Sequence, residues 1–202
     1  MGGTGTGTAT TSGFVSSVAD ICNLALYNLG AESIISLDDA TTRAKLCNSF
    51  YPNVRDAVLR AYPWNCARYT QALALLAAAP TNTNWASQFT LPIDPYCLWV
   101  PKFMNEDLIY EINGRTLLTD ETTVLLNYIR RIVDPGLYDS LLVDALAARL
   151  SHHLAYPLTG VASTAELMWK LYTVKLQEAR TQDGMENGQE KSYESNSLID
   201  VR

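Results

Sequence analysis

Apolar residues recur at helical spacing toward both ends of the chain and in short, turn-bounded runs between them. Val18, Ile21, Cys22, Ala25 and Leu29 share one face of a 3.6-residue period, so they predict an amphipathic helix. Ser17, with Asp20 three residues on, has the spacing of a reciprocal N-terminal cap, and Gly30 is placed to end the helix. A second helical run is expected to start near Asp38-Asp39, whose carboxylates suit a positive helix N-terminus. It continues through Leu46, Phe50, Val54, Val58 and Ala61, with a kink or short break at Pro52.

Pro63 stops that run, and Trp64 beside it supplies the largest apolar side chain available to fix the exit direction. These two are the predicted anchors of a joint, with Asn65 and Cys66 contributing much less. Residues 66–79 are rich in Ala and Leu and do not choose between helix and strand. From Trp85 to Val133 the runs FTLP, CLWVPKF, DLIYEING, RTLLTD and TVLLNYIRRIV read as one small antiparallel sheet or meander of four or five strands. Asn113-Gly114 between two of these runs is a two-residue hairpin signal.

Asp134-Pro135-Gly136 ends the sheet, and a helix apolar almost all round is expected from Leu137 to about Tyr156. Ser163 and Glu166 have capping-box spacing for a last helix ending at Gly184, with Leu167, Leu171 and Val174 along one side. The expected fold class is α+β: a bundle of about four helices with an inserted small antiparallel sheet. The helical part takes residues 14–65 and 137–184, and the β-rich part takes 66–136. Residues 1–13 form a flexible Gly/Thr arm too poor in apolar groups to fold alone. Residues 185–202 form a polar C-terminal tail that ends in a compact apolar motif. Its Leu198, Ile199 and Val201, with Tyr193 as a second anchor, suit an extended segment that docks on another surface.

With 202 residues, 48% of them hydrophobic, the chain can bury a sizeable core. It carries no apolar run long enough for a transmembrane helix and no signal-peptide pattern, so no membrane partner is expected. Cys22, Cys47, Cys66 and Cys97 lie about 20 to 30 positions apart, which reads as reduced, half-buried thiols rather than a metal or redox site. A net charge of −6 and the lack of any Lys/Arg cluster along the chain argue against gripping nucleic acid.

Candidate chemistry is sparse. Neighbouring residues on a helix point about 100° apart, so His152 and His153 cannot both hold one metal. Ser151 beside them lacks a nucleophile elbow, and Asp38-Asp39 read as caps rather than an acid/base pair. No cofactor motif is present, so neither cofactor nor metal is expected and the chain reads as a non-enzyme. Arg149 falls among Leu142, Ala145 and Tyr156 on the helical wheel, and a structural ion pair is its expected role.

Five segments, taken in order, carry a resemblance. They are ICNLALYNLGAESIISLDD, FYPNVRDAVLRAYPWNCAR, LPIDPYCLWV, NGRTLLTD and LNYIRRIVDPGLYDSLLVDALAARLSHHLAYPLTG. Across Val18 to Gly184 the chain resembles tailed-phage head-to-tail adaptors of the tail tubular protein A type; Cys66 departs from the larger apolar residue expected after Pro-Trp. The resemblance implies a virion structural protein at the head–tail junction, made in the host bacterial cytoplasm. It would form a ring, expected to be dodecameric, between portal protein and tail nozzle protein, with DNA passing through unbound. It also implies that the C-terminal tail meets portal or a neighbouring subunit. The alternative is a small cytosolic enzyme or regulatory subunit with an unrecognised active site.

Overall fold

The computed structural model describes residues 17–186. The 1–13 arm and the tail residues Tyr193, Leu198, Ile199 and Val201 lie outside the described residues. The fold is α+β, as expected: four helices and, between the second and third, two small antiparallel sheets.

Helix α1 (Val18–Tyr27) opens with the reciprocal cap: the Asp20 amide donates to Ser17 Oγ at 3.2 Å and the Ser17 amide to Asp20 Oδ2 at 3.0 Å. Its end is a Schellman closure. Gly30 adopts φ +66°, its amide bonds the Tyr27 carbonyl, and the Ala31 amide reaches back to Leu26. Helix α2 (Thr42–Arg60) starts later than expected, because Thr41 rather than Asp38-Asp39 caps it, accepting from the Ala44 amide. Asp39 instead closes a turn by accepting from the Ile35 and Ser36 amides. The helix is also continuous through Pro52. Pro52 and Asn48, whose carbonyl loses its donor, are both exposed, so water can serve that carbonyl and no break is required.

The β region holds six strands in two sheets, not one. Strands β1 (Arg68–Ala72), β6 (Leu125–Arg130) and β3 (Cys97–Trp99) pair in the order β1-β6-β3. Strands β2 (Ser87–Thr90), β5 (Thr116–Thr119) and β4 (Tyr110–Asn113) pair in the order β2-β5-β4. The undecided stretch after Cys66 thus supplies β1. In the β4–β5 hairpin Asn113 pairs with Thr116, so the two turn residues are Gly114 and Arg115, one position beyond the expected pair. Only Gly114 of the two has positive φ, at +62°, the requirement of a turn with glycine first.

Two sheets arise because β6 is buried on both faces. Leu126 and Tyr128 point into a core shared with Phe89, Leu117 and Val124. Ile129 points the other way, into the helical core with Trp64, Leu146 and Leu150. The first sheet is therefore a middle layer, with helices on one side and the second sheet on the other.

Helix α3 (Ser140–Thr159) is the bundle's centre, packed against α1, α2 and α4 and buried almost all round. It begins three residues later than expected, because Asp139 caps it by accepting from the Leu141 and Leu142 amides; Leu137 belongs to a preceding 3-10 turn. It also runs on to Thr159, with Gly160 as its C-cap. Helix α4 (Ala162–Glu186) corrects two expectations. Ser163 lies inside its first turn and caps nothing, since the helix already begins at Ala162. Gly184 does not end it: this glycine is where Tyr62 comes close, its Oη lying 3.3 Å from where a Cβ would stand. Its buried face is Met168, Tyr172, Ala179 and Asp183, while Leu167 and Val174 are 59% and 63% exposed.

Candidate functional site

The joint between helices and sheets is built around Trp64. Its side chain is 1% exposed, its Nε1 donates to the Val58 carbonyl at 2.9 Å, and Tyr62 meets it edge-on at 5.1 Å. That bond adds a second donor to the Val58 carbonyl, which also accepts from the Ala61 amide at 3.0 Å in the last turn of α2. The Pro63 carbonyl accepts from Arg68 Nε at 3.1 Å, tying the helix exit to the first residue of β1. Both expected anchors thus sit at the junction. The end of α4 joins them: the Asn65 amide donates to Asp183 Oδ1 at 3.0 Å, Asn65 Nδ2 to the Asp183 carbonyl at 2.8 Å, and Arg180 Nη2 to the Ala61 carbonyl at 2.6 Å. Burial raises the Asp183 carboxyl above the usual carboxylate range, against the Asn65 N–H, which holds it down. Asn65 therefore carries more of the joint than its position after Trp64 suggested. An Asn65→Ala variant is expected to lose about 1 kcal/mol in urea denaturation, the worth of its side-chain bond.

Arg149 does not form the expected ion pair with any described residue. Its guanidinium lies over Trp169 at 4.4 Å and Tyr172 at 5.0 Å, and Nη1 is buried without a hydrogen-bond partner. An aromatic face accepts a planar cation at less desolvation cost than a buried carboxylate pair, so the α3–α4 seam uses stacking. The histidines belong to the same cluster. His152 Nδ1 is 2.9 Å from the Ala165 carbonyl and its ring meets Trp169, while His153 stacks on Phe50 at 5.8 Å. Ser151 is fully buried, bonded to the Ala147 and Ala25 carbonyls and to Asn28. Among the described residues no three His, Cys, Asp or Glu side chains are grouped to hold a metal.

Burial first, then the Arg149 and His152 charges, lowers the affinity of His153 for a proton. The unfolded chain therefore takes up this proton at higher pH than the folded one. The contribution of His153 to stability is full above the ordinary histidine pKa of about 6.5 and shrinks as pH falls below it. Between pH 7.5 and 5.5 the melting temperature of His153→Gln is expected to fall less than that of the wild type.

Three of the four cysteines are buried, more than the half-burial expected, and only Cys66 is intermediate. Burial pushes the Cys66 and Cys97 thiols up to about 11. Cys22 is raised as well, by its bond to Cys47 and by burial, which leaves these thiols poor nucleophiles.

Two surfaces stand out. Along α4, the exposed apolar residues Leu167, Val174 and Met185 continue into a shallow groove of about 470 Å³ shared with Leu141 of α3. Beside α2, a cleft of about 450 Å³ opens between α2, β3 and the β4–β5 turn, lined by Asp56, Arg60, Tyr96, Arg115 and Arg131 among others. Sequence reasoning missed this cleft because its arginines lie far apart in the chain. No helix among the described residues is long and apolar enough to cross a membrane. Compared with models of known protein families and with curated proteins, the chain finds no match in either.

Proposed function

We propose that the chain is a virion structural protein, a ring-forming adaptor between portal protein and tail nozzle protein that contributes to the DNA conduit at the head–tail junction. The reading rests on the ordered resemblance of its five segments, and one structural observation supports it most. Helix α4 presents apolar side chains on both sides: one row into α3, the other, through Leu167, Val174 and Met185, to solvent. An apolar row of this length on a subunit surface is what a subunit–subunit contact needs. The acidic balance of the chain is consistent with a channel that lets phosphates slide past.

The test is purified protein, alone and with portal, examined by mass photometry and negative-stain microscopy. Closed rings, expected to be dodecameric, support the reading; a monomer that stays a monomer with portal present overturns it. A Leu167→Glu/Val174→Glu double variant is expected to keep its helical circular dichroism and lose the rings. Deletion of residues 187–202 is expected to leave the melting temperature of the isolated chain unchanged and to abolish attachment to portal.

A further inference from the structure

The cleft beside α2 carries an imbalance of charge. Asp56 receives Arg55, with Nε–Oδ1 at 2.9 Å, and Arg131, whose Nε lies 3.0 Å from both carboxylate oxygens and whose Nη2 also pairs with Oδ2. Arg60 follows Asp56 by one helical turn, the spacing at which the two would ordinarily pair. With Asp56 already held by two guanidiniums, Arg60 is exposed and forms no ion pair with any described residue. Arg115, on the other side of the cleft, is held only by neutral carbonyls, those of Leu91, Pro92 and Cys97 at 2.6 to 3.3 Å. Its guanidinium and that of Arg131 both lie over the Tyr96 ring, at 4.2 and 4.1 Å. Arg60, Arg115 and Arg131 thus line a cleft whose one carboxylate is Asp56, in a protein whose net charge is −6.

The walls decide what kind of anion fits. Leu91, Val100 and Ile112 give them aliphatic faces beside Trp99, and the guanidiniums already occupy the Tyr96 ring. A carboxylate flanked by aliphatic side chains matches both features of the cleft.

The chain carries such a segment. Asp200 stands between Leu198-Ile199 and Val201. The last turns of α4 are fastened beside the cleft: Arg180 bonds the carbonyl of Ala61, the residue after Arg60, and Asp183 bonds Asn65. Asp200 lies fourteen residues beyond Glu186, the end of α4, so the connecting chain can span up to about 45 Å. We propose that the arginine cleft is the seat of the chain's own C-terminal segment, with the Asp200 carboxylate on Arg60 and Leu198, Ile199 and Val201 against the aliphatic walls. It covers the segment in the free subunit, before any docking elsewhere, and the assignment is independent of the adaptor reading.

Hydrogen exchange of the full chain, followed residue by residue at low micromolar concentration, tests this. The amides of Ile199, Asp200 and Val201 are expected to exchange at least tenfold more slowly than in the free peptide of residues 187–202, to the same extent at every protein concentration. Arg60→Glu and, separately, Asp200→Lys are expected to restore the free-peptide rate with the melting temperature within about a degree of wild type. The charge-swapped pair Arg60→Glu/Asp200→Lys should recover part of the protection. Free-peptide rates in the wild type, or protection that survives Arg60→Glu, overturn the proposal. Protection that grows with protein concentration assigns the seat to another copy's segment and overturns the same-chain contact.

Discussion

Replacing Trp64 by alanine is expected to cost about 3–5 kcal/mol, the range for removing a fully buried large aromatic side chain. Three losses combine. The indole leaves the helical core at a site where Ile129 of the middle sheet also packs, so the cavity would open between layers rather than within one. The Val58 carbonyl loses its Nε1 donor at the end of α2. Tyr62 loses its edge-on neighbour and, with it, a constraint on the surface that meets Gly184. For a chain of this length the melting temperature should drop by about 10 °C or more. Trp64→Phe separates the terms, because it keeps most of the volume and removes the hydrogen bond; a loss of about 1–2 kcal/mol is expected. A Trp64→Ala melting curve within a degree of wild type would contradict the anchor role.

Asp56→Ala is expected to cost about 2–3 kcal/mol, the second largest effect. The carboxylate is 23% exposed and holds Arg55 and Arg131 together, the second of which lies just beyond β6. Removing it leaves two half-buried guanidiniums without their anion and brings Arg60 and Arg115 into an uncompensated cluster. Breaking a fully buried pair costs about 3–5 kcal/mol, and solvent screening at this partly open site lowers that figure. Arg60→Ala in the same helix should change stability by less than about 0.5 kcal/mol, because Arg60 takes no part in the pair. Denaturation midpoints at unchanged slope check both; equal effects for the two variants would show that Asp56 does not organise the cleft.

Local signals were legible where a few neighbouring residues settle the outcome. The Ser17–Asp20 cap, the Gly30 closure and the all-round apolar α3 depend on contacts within one turn or on composition alone, and each formed as read. Element starts were misread where two acceptors competed. Asp38-Asp39 and Ser163 have capping chemistry, but Thr41 and the residues around Ala162 set the helix starts, and sequence spacing does not rank such rivals. The covered side of α4 was not legible for a related reason. Both of its faces are apolar, and the position of α3 decides which is covered.

By itself, the sequence determined the α+β class, the placement of a β region between two helical segments, and Trp64 as the residue that fixes the turn from one to the other. These follow from periodicity, helix breakers and the size of a side chain, all of which act locally. Only the tertiary structure decided that the β region divides into two sheets, because β6 is apolar on both faces and needs a layer on each. It likewise decided that Arg149 stacks on Trp169 and Tyr172 instead of pairing with a carboxylate, since α4 brings rings rather than an acid to that seam. The arginine cleft belongs wholly to this second group. Arg60 on α2, Arg115 in a hairpin turn and Arg131 after β6 form no cluster along the chain, and they line one cleft only because the sheets fold back onto α2.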